Sequence, residues 1–75
     1  MQRGVNPEHV HKIRQILGVL HAAATVEGLR QPTFNLHALK GKMAGWWAVT
    51  VRANWRIIFR FENGNAFDVD LVDYH

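Results

Sequence analysis

The chain ends Asp73-Tyr74-His75, which places a carboxylate, a phenol and an imidazole side by side. Packing requires none of the three, and histidine gives or takes a proton near neutral pH. They follow directly on an apolar, alternating run from about Ala66 to Val72, which would hold them at a sheet edge rather than on a loose tail. Taken alone, a terminal Tyr-His is more often an inert end than a catalyst. Upstream stand His37, Lys40, Arg52 and Arg56, a set suited to gripping and cleaving a phosphodiester. Cutting RNA without a metal needs a base for the 2′-hydroxyl proton, an acid for the leaving 5′-oxygen, and cations on the transition state. Two histidines, or a histidine and an aspartate, with Arg and Lys nearby meet that specification.

Arg52 and Arg56 flank Ala53-Asn54, so a tight turn there would bring two guanidinium forks to one end of a hairpin as a phosphate clamp. Spacing alone also fits two solvated arginines beside a turn. His37 gains standing only from topology: if the first and last strands both lie beside a central hairpin, His37 and His75 approach one groove. Metal binding is the rival reading for a chain with five histidines. His9 and His11 are two apart on a helical stretch and point in different directions, and His21 stands ten residues further on. No HExxH, paired-cysteine or acidic calcium-loop spacing occurs, so neither a metal nor a cofactor is expected. Trp47 and Trp55 fit core positions on adjacent strands. Trp46 has the opposite parity, and an exposed indole near Lys and Arg could stack on a base or anchor a protein partner.

The elements that must position these groups are short. Asn6-Pro7-Glu8 reads as a helix start: Asn caps free N–H groups, Pro is tolerated in the first turn, and Glu complements the positive helix end. Val10, Ile13, Leu17 and Leu20 then recur at helical spacing, with Ile16 widening the stripe. A helix is expected from about Asn6 to Ala24, weakened at Gly18, with a loop punctuated by Gly28 and Pro32. From Phe34 the period changes to that of a strand, and the Lys40–Gly45 loop follows. Trp47, Val49 and Val51 alternate with Trp46, Ala48, Thr50 and Arg52. A strand from Trp55 to Phe61 leads to Asn63-Gly64, a strong hairpin signal. The last strand should put Phe67, Val69 and Leu71 on one face and Asp68 and Asp70 on the other. The expected fold is α+β, one N-terminal helix followed by an antiparallel β-meander, in a single domain over residues 1–75.

Seventy-five residues lie near the lower limit for independent stability, where a core contributes only a few kcal/mol of net stability. There is no cysteine, so neither a disulfide nor a thiolate site can help, which fits a reducing cytoplasm. No stretch resembles a signal peptide or a membrane span. Lys and Arg outnumber Asp and Glu nine to six, for a formal charge of +3. Lys40, Lys42, Arg52, Arg56 and Arg60 fall within the stretch that reads as sheet, where a groove for a polyanion could form.

Three segments, Leu36-His37-Ala38-Leu39-Lys40-Gly41, Trp47 through Arg56, and Phe67 through His75, together resemble a HigB-type toxin of the RelE superfamily. The resemblance runs from about Gly4 to the last residue, and the three pieces in this order and spacing are quite specific. It implies a RelE-like fold and a metal-independent endoribonuclease that enters the ribosomal A site and cuts the mRNA there. Its partners would be the ribosome, mRNA and a HigA-type helix-turn-helix antitoxin, with operator DNA reached only through the antitoxin. By position, His37 and His75 match the functional histidines, with Asp73 and Tyr74 beside His75. Lys40 and Arg56 match positions that hold the scissile phosphate, Arg52 matches a basic position near the RNA, and Lys42 and Arg60 extend the basic set. Family members usually carry an opening strand and a first helix before the position matching Gly4-Val5. The chain is therefore expected to be N-terminally short and, with a sheet edge uncovered, to self-associate or depend on a partner. The alternative reading is a catalytically inactive, truncated toxin that only binds its antitoxin or RNA.

Overall fold

A computed structural model of the chain describes residues 7–73. The expected cap Asn6, and Tyr74 and His75, lie outside the described residues. Helix α1 runs from Pro7 to Ala22, with Pro7 in its first turn, Glu8 against its positive end and His21 in its last turn. It stops two residues short of the expected Ala24. The chain then enters a 3₁₀ turn at Val26–Leu29 that carries Leu29 into the core. Gly28 relieves crowding in this connection, since a Cβ there would come within 3.1 Å of the Ala23 Cβ.

Four antiparallel strands follow: β1 (His37–Ala38), β2 (Trp46–Arg52), β3 (Trp55–Glu62) and β4 (Asn65–Asp73), paired in chain order. The helix-then-meander architecture expected from the sequence is the one observed. The first strand is much shorter than the apolar run from Phe34 suggests, because Asn35 adopts a left-handed conformation (φ 51°) and breaks the extended path. The segment still lies along β2. Thr50 N donates to the Phe34 carbonyl (2.7 Å) and Leu39 N donates to the Trp46 carbonyl (2.9 Å). A second 3₁₀ turn, Gly41–Met43, fills the β1–β2 loop. Asn63 and Gly64 both have positive φ (53° and 77°), as a type I′ hairpin turn demands.

Two register shifts correct simple alternation. Thr50 pairs with Arg56 but Arg52 pairs with Trp55, so β2 carries one extra residue near Val51. Arg60 pairs with Phe67 but Ile58 pairs with Asp70, so β4 carries one extra residue at Asp68, whose φ is 54°. Phe67, Val69 and Leu71 therefore do not share a face. Phe67 lies opposite Arg60, whereas Leu71 lies opposite the core residue Ile57.

One sheet face packs against α1. Val49, Val51, Ile57 and Phe59 meet Ile16 and Leu20 of the helix, with Leu29, Phe34 and Leu36 closing the ends. Trp47 and Trp55 are half-buried against this core, as their parity predicts. The centre of the helix stripe is Ile16, fully buried, and not Leu17, which is 42% exposed beside Val69 at the rim of the sheet. Among the described residues no helix is long and apolar enough to cross a membrane.

This orientation of α1 predicts unequal penalties for two adjacent truncations. Ile16→Ala should cost about 2–5 kcal/mol, comparable with the whole stability of so small a domain. Leu17→Ala should cost about 1 kcal/mol or less. Urea denaturation of the two variants checks the difference.

Candidate active site

The face of the sheet turned away from α1 carries His37, Arg56 and Arg60. Cross-strand pairing arranges it in three rows: Trp46–Arg60–Phe67, then His37–Ala48–Ile58–Asp70, then Thr50–Arg56–Val72. Ala48 and Ile58 are buried at the centre. Polar and aromatic side chains surround them.

His37 is exposed on β1, and its Nδ1 lies 2.9 Å from the Asn35 carbonyl oxygen. A carbonyl can only accept, so Nδ1 must carry the hydrogen. In the neutral ring, Nε2 then holds the lone pair. The left-handed Asn35 that breaks the strand is thus also the residue whose carbonyl selects the His37 tautomer. Asn and Asp enter this backbone region more readily than other non-glycine residues.

Arg56 is half-buried on the open face, and its Nη1 donates to the Ala53 carbonyl at 2.8 Å. From strand spacing and rise, its Cα lies about 12 Å from that of His37. Beside it, the Thr50 hydroxyl is buried without a hydrogen-bond partner among the described residues, a cost of about 1–3 kcal/mol. Arg52 does not join Arg56 in a clamp. The extra residue in β2 sets Arg52 opposite Trp55 on the helix side, and its Nη1 donates to Glu8 Oε2 at 3.0 Å. This ion pair is exposed at both ends, so the link to α1 is weak.

Lys40 precedes the Gly41–Met43 turn and Lys42 lies within it; both are exposed on the loop beside β1. Arg60 lies in the first row, 3.7 Å from Asp68, with its Cζ 5.8 Å from the Trp46 ring centroid and 5.2 Å from that of Phe67. Asp73 ends β4 opposite Trp55 and is exposed. Among the described residues no group of three His, Asp or Glu side chains is placed to hold a metal ion. Away from this face, hydrogen bonds from Arg30 (2.7 and 3.2 Å) lower the Glu27 carboxyl pKa, and the guanidinium's is raised in return.

Sequence reasoning missed Asn35, whose role is played by a backbone carbonyl, and the joint placement of Asp70 with His37 in one row. The parity of β4 was a signal for Asp70. Nothing in local sequence signals a carbonyl's acceptor role.

These features define a class: a small α+β domain with a one-sided sheet whose open face carries a histidine, arginines and aromatic rings. A family model described as a RelE-like toxin of the type II toxin–antitoxin system HigB matches residues 1–75. A curated relative from Proteus vulgaris, named Endoribonuclease HigB, is 42% identical over 72 residues, which cover 96% of this chain and 78% of that protein. The chain belongs to the HigB-like toxins of the RelE type.

The His37 contact yields a spectroscopic prediction. Long-range ¹H–¹⁵N spectra at a pH where the ring is neutral should show the Nδ1–H tautomer for His37, against the usual preference of free imidazole for Nε2–H. An Nε2–H signature would remove the Asn35 carbonyl from the site.

Proposed function

We infer that the chain is the toxin of a type II toxin–antitoxin pair, acting as a ribosome-dependent, metal-independent endoribonuclease that cuts mRNA in the A site. The observation that carries this reading is the oriented His37, which leaves a basic Nε2 on the sheet face that also carries Arg56. The likeness to the Proteus vulgaris endoribonuclease supports it.

In the reaction, the 2′-oxygen attacks the adjacent phosphorus and the 5′-oxygen leaves. One group takes the 2′-hydroxyl proton and a second returns a proton to the 5′-oxygen, leaving a 2′,3′-cyclic phosphate and a 5′-hydroxyl. His37 and His75 share these transfers. Asp73 orients or tunes one of them, and Tyr74 shapes the pocket. Arg56 and Lys40 stabilise charge that develops on the phosphoryl oxygens. Lys42 and Arg52 hold the RNA backbone, Arg52 after exchanging the weak Glu8 pair for phosphate, and Arg60 contacts the RNA on the open face. The partners are the ribosome, mRNA and a HigA-type antitoxin, through which alone the toxin meets operator DNA in the cytoplasm. The outer edge of β4, with no strand beside it among the described residues, supports self-association.

Purified ribosomes programmed with an end-labelled mRNA test the activity. Wild type should cut at A-site codons and leave a cyclic phosphate on the 5′ fragment. His75→Ala should slow cutting by about 10²–10⁴-fold, the usual contribution of a general acid or base. A phosphorothioate at the scissile bond should not be rescued by manganese. If a folded wild-type protein leaves the mRNA uncut, catalysis is refuted and antitoxin or RNA binding becomes the function. Sedimentation of the free toxin reads its association state, and a monomer at every concentration would count against pairing through β4.

A further inference from the structure

The row Trp46–Arg60–Phe67 has no role in the core. The rings of Trp46 and Phe67 are half-buried on the open face, and neither belongs to the cluster that packs on α1. Direct cross-strand pairing sets both beside Arg60, whose guanidinium approaches each ring centroid to within 6 Å. Asp68, the extra residue of β4, faces the same guanidinium at 3.7 Å and limits its swing. The result is a flat surface of alternating ring, cation and ring. It has the two features that bind an unpaired base, half-buried aromatic rings with part of their surface open and a delocalised cation.

Its position is specific. His37 pairs with Ala48, and Trp46 lies two residues along β2 on the same face, so the two Cα atoms are diagonal neighbours about 7–8 Å apart. That separation suits the base adjoining a phosphate held at His37. The alternative occupant is a protein. The exposed large aliphatic side chains among the described residues, Leu17 and Val69, lie on the helix side and not beside this row. One indole and one phenyl ring around a cation suit a planar ring better than an apolar protein anchor.

We propose that Trp46, backed by Arg60 and Phe67, is the stacking subsite for the nucleobase next to the scissile phosphate. This rests on the endoribonuclease reading above. Stacking of this kind binds substrate and transition state alike, so it lowers the toxin concentration needed for cleavage without raising the saturating rate.

The test is single-turnover cleavage of mRNA on programmed ribosomes, as a function of toxin concentration. Trp46→Ala should raise the half-saturating concentration about ten-fold, within the range for loss of one base–aromatic stack, and leave the plateau rate unchanged. Trp46→Phe should recover most of the affinity. With wild-type protein, an abasic nucleotide at one position flanking the cut should reproduce the Trp46→Ala defect, and the variant should be indifferent to it. If wild type cuts RNA but tolerates an abasic nucleotide at every flanking position, the subsite is refuted while the nuclease reading stands. A Trp46→Ala variant that cuts normally but loses affinity for the antitoxin would make this row a protein contact and refute the proposal. Failure of wild type to cut the mRNA on programmed ribosomes would overturn the nuclease reading and the subsite with it.

Discussion

The extra residue that β4 accommodates at Asp68 organises both faces of the sheet. In an uninterrupted strand, Phe67, Val69 and Leu71 would all face one way, because the side-chain period is two. The bulge lets Leu71 meet Ile57 over the core while Phe67 stays opposite Arg60 on the open side. The strand thereby serves an apolar layer at one end and a cationic–aromatic surface at the other. The left-handed φ of Asp68 costs less than it would at most non-glycine residues, and its carboxylate meets the nearby arginine.

Among the described residues a single α-helix covers one side of the sheet, and that economy shapes the site. With so little apolar surface available, Ile16, Leu29, Phe34, Val49, Ile57 and Phe59 must all be essentially fully buried. Among the described residues the helix packs on one face, and Ala48 and Ile58 lie buried at the centre of the other. Such a surface suits an extended, charged ligand better than a small molecule in a cavity. The arginines are distributed accordingly. Arg56 is braced by the turn carbonyl of Ala53, Arg60 by Asp68 and two rings, and Arg52 is drawn off to the start of α1.

His37 shows how local backbone geometry sets chemistry. A left-handed Asn35 shortens β1 to two residues, and its carbonyl receives the imidazole Nδ1–H. An irregularity that weakens a strand thus fixes which nitrogen can accept a proton. The Thr50 hydroxyl beside Arg56, without a partner among the described residues, is a second local cost on the same face. Both concessions lie where the family's chemistry is expected, and the helix-side core shows neither.

Local patterning determined the elements themselves. Pro7-Glu8 starts the helix, Asn63-Gly64 closes the last hairpin, and period-two alternation marks β2 and β3, because caps, turns and pleats depend on residues close in sequence. His37, Lys40, Arg52, Arg56 and Asp73 were legible as candidates because their side-chain chemistry is written in their identity. Which of them share a face was decided only by tertiary structure. Bulges at Val51 and Asp68 shift the register by one, and each shift reverses the facing of everything beyond it. That is why Arg52 parts from Arg56 and Phe67 parts from Leu71. Likewise Ile16 and Leu17 are both apolar at helical spacing, and only the seat of α1 on the sheet makes one the core and the other the rim. Bulges, helix rotation and carbonyl acceptors arise from cooperative packing across distant segments, which no local pattern encodes.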